Sequence, residues 1–129
     1  MAKLTYFPDR GDFIHMDFSP SAGYEEAGEH YGLVLSPIAF SKKTGFALVC
    51  PITSTIRKWP FEVFIPKGLL PPKKGVPVDS VILSDQVKSQ DIRERRLRFI
   101  AKAPDDILDE TLEKVRAILD SDDVLGELE

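Results

Sequence analysis

The spacing of apolar residues changes once along this chain, near residue 104. Before that point it is strand-like, and after it helical. Gly11 to Phe18 alternates, with Ile14, Met16 and Phe18 on one face and His15 and Asp17 on the other, which predicts a strand and leaves His15 as a surface residue. Ser19 to His30 holds Pro20, Gly23 and Gly28 with no apolar period, so it reads as a long loop, the kind of segment that usually carries function in a small domain. Tyr31 to Leu35 and Phe46 to Cys50 are near-continuous β-formers, expected to be central and buried. A polar turn with Lys42, Lys43 and Gly45 joins them in a hairpin-like arrangement. Phe61 to Ile65 predicts another strand, and the Pro/Gly/Lys segment from Pro66 to Pro77 cannot hold a regular element. Ser80 to Leu83 resumes the sheet, and Leu97 to Ala101 is expected to close it.

From Pro104 the apolar residues Ile107, Leu108, Thr111, Leu112, Val115, Ile118 and Leu119 fall three and four apart. Pro104 suits a first helical turn, and Asp105, Asp106 and Asp109 complement its N-terminal dipole. One face of this C-terminal helix must pack on the sheet. Five or more short strands with one terminal helix predict a mainly β domain, a small and strongly curved antiparallel barrel of the SH3-like kind.

At 129 residues the chain suits one domain, and 43% hydrophobic with 29% charged residues is the composition of a folded core. Residues 1–119 are expected to form that domain and 120–129 an acidic, disordered tail. No stretch approaches the roughly 20 apolar residues that cross a bilayer, and the N-terminus lacks the apolar segment of a secretion signal. A cytoplasmic protein without a membrane partner is expected. One cysteine and two distant histidines exclude an internal disulfide and a Cys/His zinc site. Cys50, inside an apolar strand, reads as an inert core residue.

The net charge of −4 is unevenly spread. Residues 120–129 hold Asp120, Asp122, Asp123, Glu127 and Glu129 and no base, so the first 119 residues carry 17 bases against 16 acids. Lys88 to Lys102 has six bases against Asp91 and Glu94, which suits either phosphate contacts or a solvated basic face. No phosphate-binding glycine loop, nucleophile elbow or Rossmann fingerprint is present, so no cofactor is expected.

Three groups of polar residues lie just beyond predicted strand ends: Glu25, Glu26, Glu29 and His30; Thr53, Ser54, Arg57, Lys58 and Trp59; Asp85, Gln86 and Lys88. If those ends converge, they assemble a base, hydroxyls, cations and an aromatic platform. RNA cleavage without metal needs such parts: an acceptor for the 2′ proton, donors to the phosphorane, and a donor to the leaving 5′-oxygen. Spacing shows only that the parts are available, since a Thr-Ser pair in a loop is commonly a turn or cap.

At these residues the chain resembles the MazF/PemK family of toxin endoribonucleases. The resemblance is carried by Gly11-Asp12, Asp17-Phe18-Ser19-Pro20, Gly23-Tyr24-Glu25-Glu26-Ala27-Gly28, Leu33-Val34-Leu35-Ser36-Pro37, Cys50-Pro51-Ile52-Thr53-Ser54, Pro60-Phe61-Glu62-Val63 and Leu83-Ser84-Asp85-Gln86-Val87-Lys88-Ser89, in unbroken order from about Asp9 to Leu119. It implies a homodimer of SH3-like barrels and an antitoxin of the MazE type. It also implies sequence-specific cutting of single-stranded RNA to 2′,3′-cyclic phosphate and 5′-hydroxyl ends. The family's Pro-x-Thr-Ser threonine falls on Thr53 and its first-loop glutamate on Glu25, while Asp85 matches an aspartate functional in the PemK branch. With His30 these give Thr53, His30 and Glu25 as catalytic residues, and Ser54, Arg57, Lys58, Trp59, Asp85, Gln86 and Lys88 as RNA contacts. Trp59 has two readings, stacking on a base or covering the barrel rim or dimer seam.

The chain departs from the family where His30-Tyr31 stands in place of an arginine followed by proline. Glu26 replaces glutamine, and Glu29 adds another negative charge. An imidazole, with an ordinary pKa of about 6.5, accepts a proton near neutrality as guanidinium does not. Arginine, in turn, supplies a permanent charge and a two-bond grip on phosphate. Two alternatives follow from the replacement: a non-catalytic binder on the same scaffold, such as a gyrase inhibitor resembling CcdB, or a catalytically weakened toxin that titrates antitoxin.

Overall fold

The computed structural model describes residues 6–18, 23 and 28–122. Seven strands and two α-helices follow in the order β1 (Asp12–Asp17), β2 (Glu29–Val34), α1 (Ile38–Thr44), β3 (Phe46–Thr53), β4 (Glu62–Ile65), β5 (Ser80–Leu83), β6 (Lys88–Asp91), β7 (Arg98–Lys102) and α2 (Asp105–Asp120), with a single 3-10 turn at Ser84–Gln86. The sheet runs β4-β5-β3-β2-β1-β7, all antiparallel, and β6 pairs with the first half of β3.

Both faces are covered where Leu33 and Val34 pair with Cys50 and Val49, which is why this stretch reads as an apolar run, whereas β3, expected to be buried throughout, begins with Phe46 and Leu48 exposed. Phe13, Leu33, Cys50, Ile52 and Ile82 point to one core with Ile107 of α2. Ile14, Met16, Phe18, Val34 and Val49 point to a second. The predicted face of β1 is therefore correct. Asp12, itself buried, accepts from the Tyr6 hydroxyl and the Asp9 N–H and pairs with Lys102 of β7. That hub ties the segment before β1 to the strand beside it.

Three expectations change. The polar turn between β2 and β3 is the helix α1: Pro37 precedes it, Lys42 and Lys43 complement its C-terminal dipole, and Gly45 ends it in the left-handed conformation at φ 77°. Ser41 anchors it by donating to the Pro8 carbonyl at 2.8 Å. β6, a polar stretch without an apolar period, is a strand because β3 offers it a free edge. The sheet also stays open: β7 bonds to β1, and among the described residues no ladder joins it to β4. Instead α2 spans this side, with Leu108 against Gly11 at one end and Lys114 donating to the Glu62 carbonyl at 2.7 Å at the other. The mainly β architecture with a C-terminal helix is as expected.

Gly32, in β2 two residues after His30, has no room for a side chain. A Cβ there would sit 2.7 Å from Val49 Cγ1, 3.1 Å from Phe18 Cζ and 3.2 Å from the Cys50 carbonyl oxygen. Gly32→Ala is expected to cost about 1–3 kcal/mol of stability through overpacking, read as a lowered urea midpoint at unchanged slope; a midpoint equal to the parent's would show that Phe18 yields without strain.

Candidate functional site

A pocket of about 470 Å³ opens where β1, β2 and β3 meet the loop that follows β4. Its lining draws His15, Glu29, His30 and Tyr31 from β1 and β2, Thr53, Ser54, Thr55 and Arg57 from the end of β3 and the segment after it, and Leu70, Pro71, Pro72, Lys73, Val78 and Ser80 from the stretch that leads into β5. Two residues singled out from sequence for catalysis meet here. The β2–β3 ladder pairs Tyr31 with Ile52 and Gly32 with Pro51, and one further step sets His30 across from Thr53. Cross-strand partners share a face.

His30 is held by its own ring. Its Nδ1–H donates to the Ile52 carbonyl at 3.2 Å, and Phe18 lies edge-on at 6.4 Å between ring centroids. A carbonyl can only accept, so Nδ1 carries hydrogen; in the neutral ring the lone pair then belongs to Nε2. Thr53 is 7% exposed, and its hydroxyl oxygen accepts the Thr55 N–H at 3.1 Å. This short turn carries the chain out of β3 while leaving the threonine hydrogen available as a donor.

The loop between β3 and β4 is shaped by a buried carboxylate. Glu62 accepts the N–H of Arg57 at 3.1 Å and of Lys58 at 3.0 Å, and its own N–H donates to the Trp59 carbonyl at 3.0 Å. Two successive N–H groups can converge on one carboxylate because Lys58 takes the left-handed conformation, φ 57°. Arg57 thereby lines the pocket, whereas Lys58 and Trp59 project from the adjoining loop without lining it. Trp59 is 51% exposed and packs on Phe61 at 5.9 Å.

The remaining sequence-derived residues lie elsewhere. Glu25 falls outside the described residues. Asp85 and Gln86 form the 3-10 turn and Lys88 begins β6; none of the three lines the pocket. Burial raises the Asp85 carboxyl above the usual range, and the Glu62 charge adds to the shift. Cys50 is fully buried; burial first, then Asp85, pushes its thiol up to about 12. Its place in the core is as expected. The basic run from Lys88 to Lys102 divides over β6, a turn and β7, with Lys102 committed to Asp9 and Asp12.

Two pocket residues were not legible as such. His15, expected at the open surface, is half-buried in the wall with its ring edge-on to Tyr31 at 5.3 Å; the strand pattern gives its face but not what folds over it. Lys73 comes from the Pro/Lys loop, where its N–H and carbonyl both bond to Val76 around Lys74 and Gly75, at φ 50° and 79°. Lys-Lys-Gly is a turn signal of that mirror-image type. Among the described residues no three His, Cys, Asp or Glu side chains gather as metal ligands, and no helix is long and apolar enough to cross a membrane.

Residues 9–119 match the family model described as PemK-like, MazF-like toxin of type II toxin–antitoxin systems. The chain belongs to this toxin family. It is 43% identical over 84 residues to the endoribonuclease toxin MazF of Escherichia coli K12, covering 65% of this chain and 68% of that relative. Among solved structures it is similar to MazF from Deinococcus radiodurans, at 40% identity and a TM-score of 0.78 over 88% of this chain and 97% of the other. A MazE–MazF complex from the same organism matches at 39% identity and a TM-score of 0.69, again over 88% and 97%. The family's sheet and helix are those described above, and its sequence likeness reaches the strands that carry His30 and Thr53.

The Glu62 carboxylate makes a specific demand. Glu62→Ala leaves the Arg57 and Lys58 N–H groups without their acceptor, an expected loss of about 1–3 kcal/mol. Acrylamide quenching of Trp59, the chain's one tryptophan, should rise in parallel; unchanged quenching would mean that other bonds hold the loop.

Proposed function

We propose that this chain is the toxin of a type II toxin–antitoxin pair, a metal-independent endoribonuclease that cuts single-stranded RNA at a short recurring sequence in the cytoplasm. The observation that carries this reading is the meeting of His30 and Thr53 in one pocket, across adjacent strands, with the imidazole held through Nδ1. Nε2 of neutral His30 takes the proton of the 2′-hydroxyl. The 2′-oxygen attacks the adjacent phosphorus, and the bond from phosphorus to the 5′-oxygen breaks, leaving a 2′,3′-cyclic phosphate and a 5′-oxygen that takes a proton from water to become the 5′-hydroxyl. The Thr53 hydroxyl donates to a non-bridging oxygen as charge builds there, and Arg57 supplies a positive charge at the same mouth. Glu25 positions His30 or assists proton transfer. Ser54, Lys58, Trp59, Asp85, Gln86 and Lys88 extend the RNA contact beyond the pocket.

The endoribonuclease names of its relatives support the reaction class, and the MazE–MazF complexes support neutralisation by a MazE-like antitoxin. The active unit is a homodimer of this domain. The replacement of the family arginine by His30 favours one second reading, a toxin whose catalysis is weakened or lost.

Purified protein incubated with a long RNA in EDTA should give 5′-hydroxyl ends at one short motif. Thr53→Ala and His30→Ala should each slow cutting about 100-fold or more; two variants as fast as the parent would remove these residues from the chemistry. His30→Arg separates the roles of the histidine, raising the rate where charge limits it and lowering it where His30 is the base. Intact RNA together with gyrase-dependent DNA breaks would replace the nuclease with a CcdB-like activity, and tight antitoxin binding with neither would leave a titrating homologue.

A further inference from the structure

The chemistry just proposed places a doubly negative phosphorane in the pocket. The imidazolium that His30 becomes on taking the 2′ proton balances one of those charges and leaves the one that the phosphodiester carried from the start. Glu29, also in the lining, adds a negative one. Against these the pocket sets two cations, Arg57 and Lys73, and Lys73 has no role so far.

Lys73 is placed to act. Its Nζ donates to Ser54 Oγ at 3.3 Å, and Ser54 directly follows Thr53. The ammonium therefore stands over the strand end that carries the threonine. The loop that delivers it is closed at both ends: Asp79 accepts the Lys67 N–H at 2.8 Å at the base, and the Lys73–Val76 bridge closes the tip at 2.9 and 3.0 Å. Pro71 and Pro72 fix the backbone just before it. The loop backbone is thus set before substrate arrives, and the exposed Lys73 side chain is directed by its bond to Ser54.

We propose that Lys73 is a catalytic residue of this chain, its ammonium contacting a non-bridging oxygen of the scissile phosphate and supplying positive charge there from the moment substrate binds, before His30 has taken a proton. This rests on the endoribonuclease reading. Exchange is short in reach: the ammonium leaves the Ser54 hydroxyl for the phosphate oxygen, and no bond of the lysine is made or broken. The site thus divides between two residues, proton acceptance at His30 and charge at Lys73, what a single arginine cannot do at once.

The test is single-turnover cleavage of a short RNA carrying the mapped motif, in EDTA. Lys73→Gln should slow the chemical step roughly 100-fold with little change in KM, and Lys73→Arg, which keeps the charge, should retain most of the rate. Lys73→Cys should be slow and regain activity on alkylation with 2-bromoethylamine, which rebuilds an ammonium on a side chain of similar length; buried Cys50 stays unmodified. In a His30→Arg background the loss from Lys73→Gln should shrink to about tenfold or less, because the second charge is then present. The proposal is overturned if Lys73→Gln cuts as fast as the parent, if its whole effect lies in KM, or if the loss is equal in both backgrounds. A parent chain that leaves RNA intact brings down the nuclease reading and this one together, whereas a cutting parent indifferent to Lys73 overturns this one alone.

Discussion

The antiparallel ladder between β2 and β3 is the constraint on which the rest of this molecule depends. It lies in the middle of the sheet, is covered on both faces, and ends with His30 across from Thr53. A slip of one residue would turn Leu33 and Cys50 out of one core and Val34 and Val49 out of the other, so the register is set by burial along the whole strand. The site inherits that precision. The imidazole is tied to the neighbouring strand by its bond to the Ile52 carbonyl.

The two loops that complete the pocket are held by different means. Between β3 and β4 a buried carboxylate gathers backbone N–H groups, so that one negative charge shapes the segment bearing Arg57. After β4, prolines, a mirror-image turn and the Asp79 side chain do the same without charge burial. Both presentations place a cation near the Thr53–Ser54 strand end while Glu29 opposes them. Positive charge at this mouth is therefore carried by two loops.

Much of this could be read before any coordinates. The two runs that became β2 and β3, the alternation of β1 and the three-and-four spacing of α2 are local consequences of which residues must be buried, and burial leaves a periodic trace. The Thr53-Ser54 and His30 positions were singled out by resemblance to the family, since spacing showed only that the residue types were available. Less legible were α1, a helix of seven residues whose signals are its caps more than its period, and β6, which has no apolar face and exists because β3 provides an edge. The open sheet was hidden for the same reason: whether β7 meets β4 depends on where α2 lies, and Leu108 and Lys114 place it across that side.

By itself the sequence determined the apolar strands, the terminal helix, the burial of Cys50 and the residue types available for phosphodiester chemistry, because each follows from neighbours within one element. Only the tertiary structure decided that His15 and Lys73 belong to the pocket while Asp85, Gln86 and Lys88 stand apart from it. Part of the lining comes from residues 70–80, more than fifty positions along the chain from His15. Nothing in the period of a strand encodes what a distant loop will lay over it; that is set by the register and twist of the sheet that brings the two together.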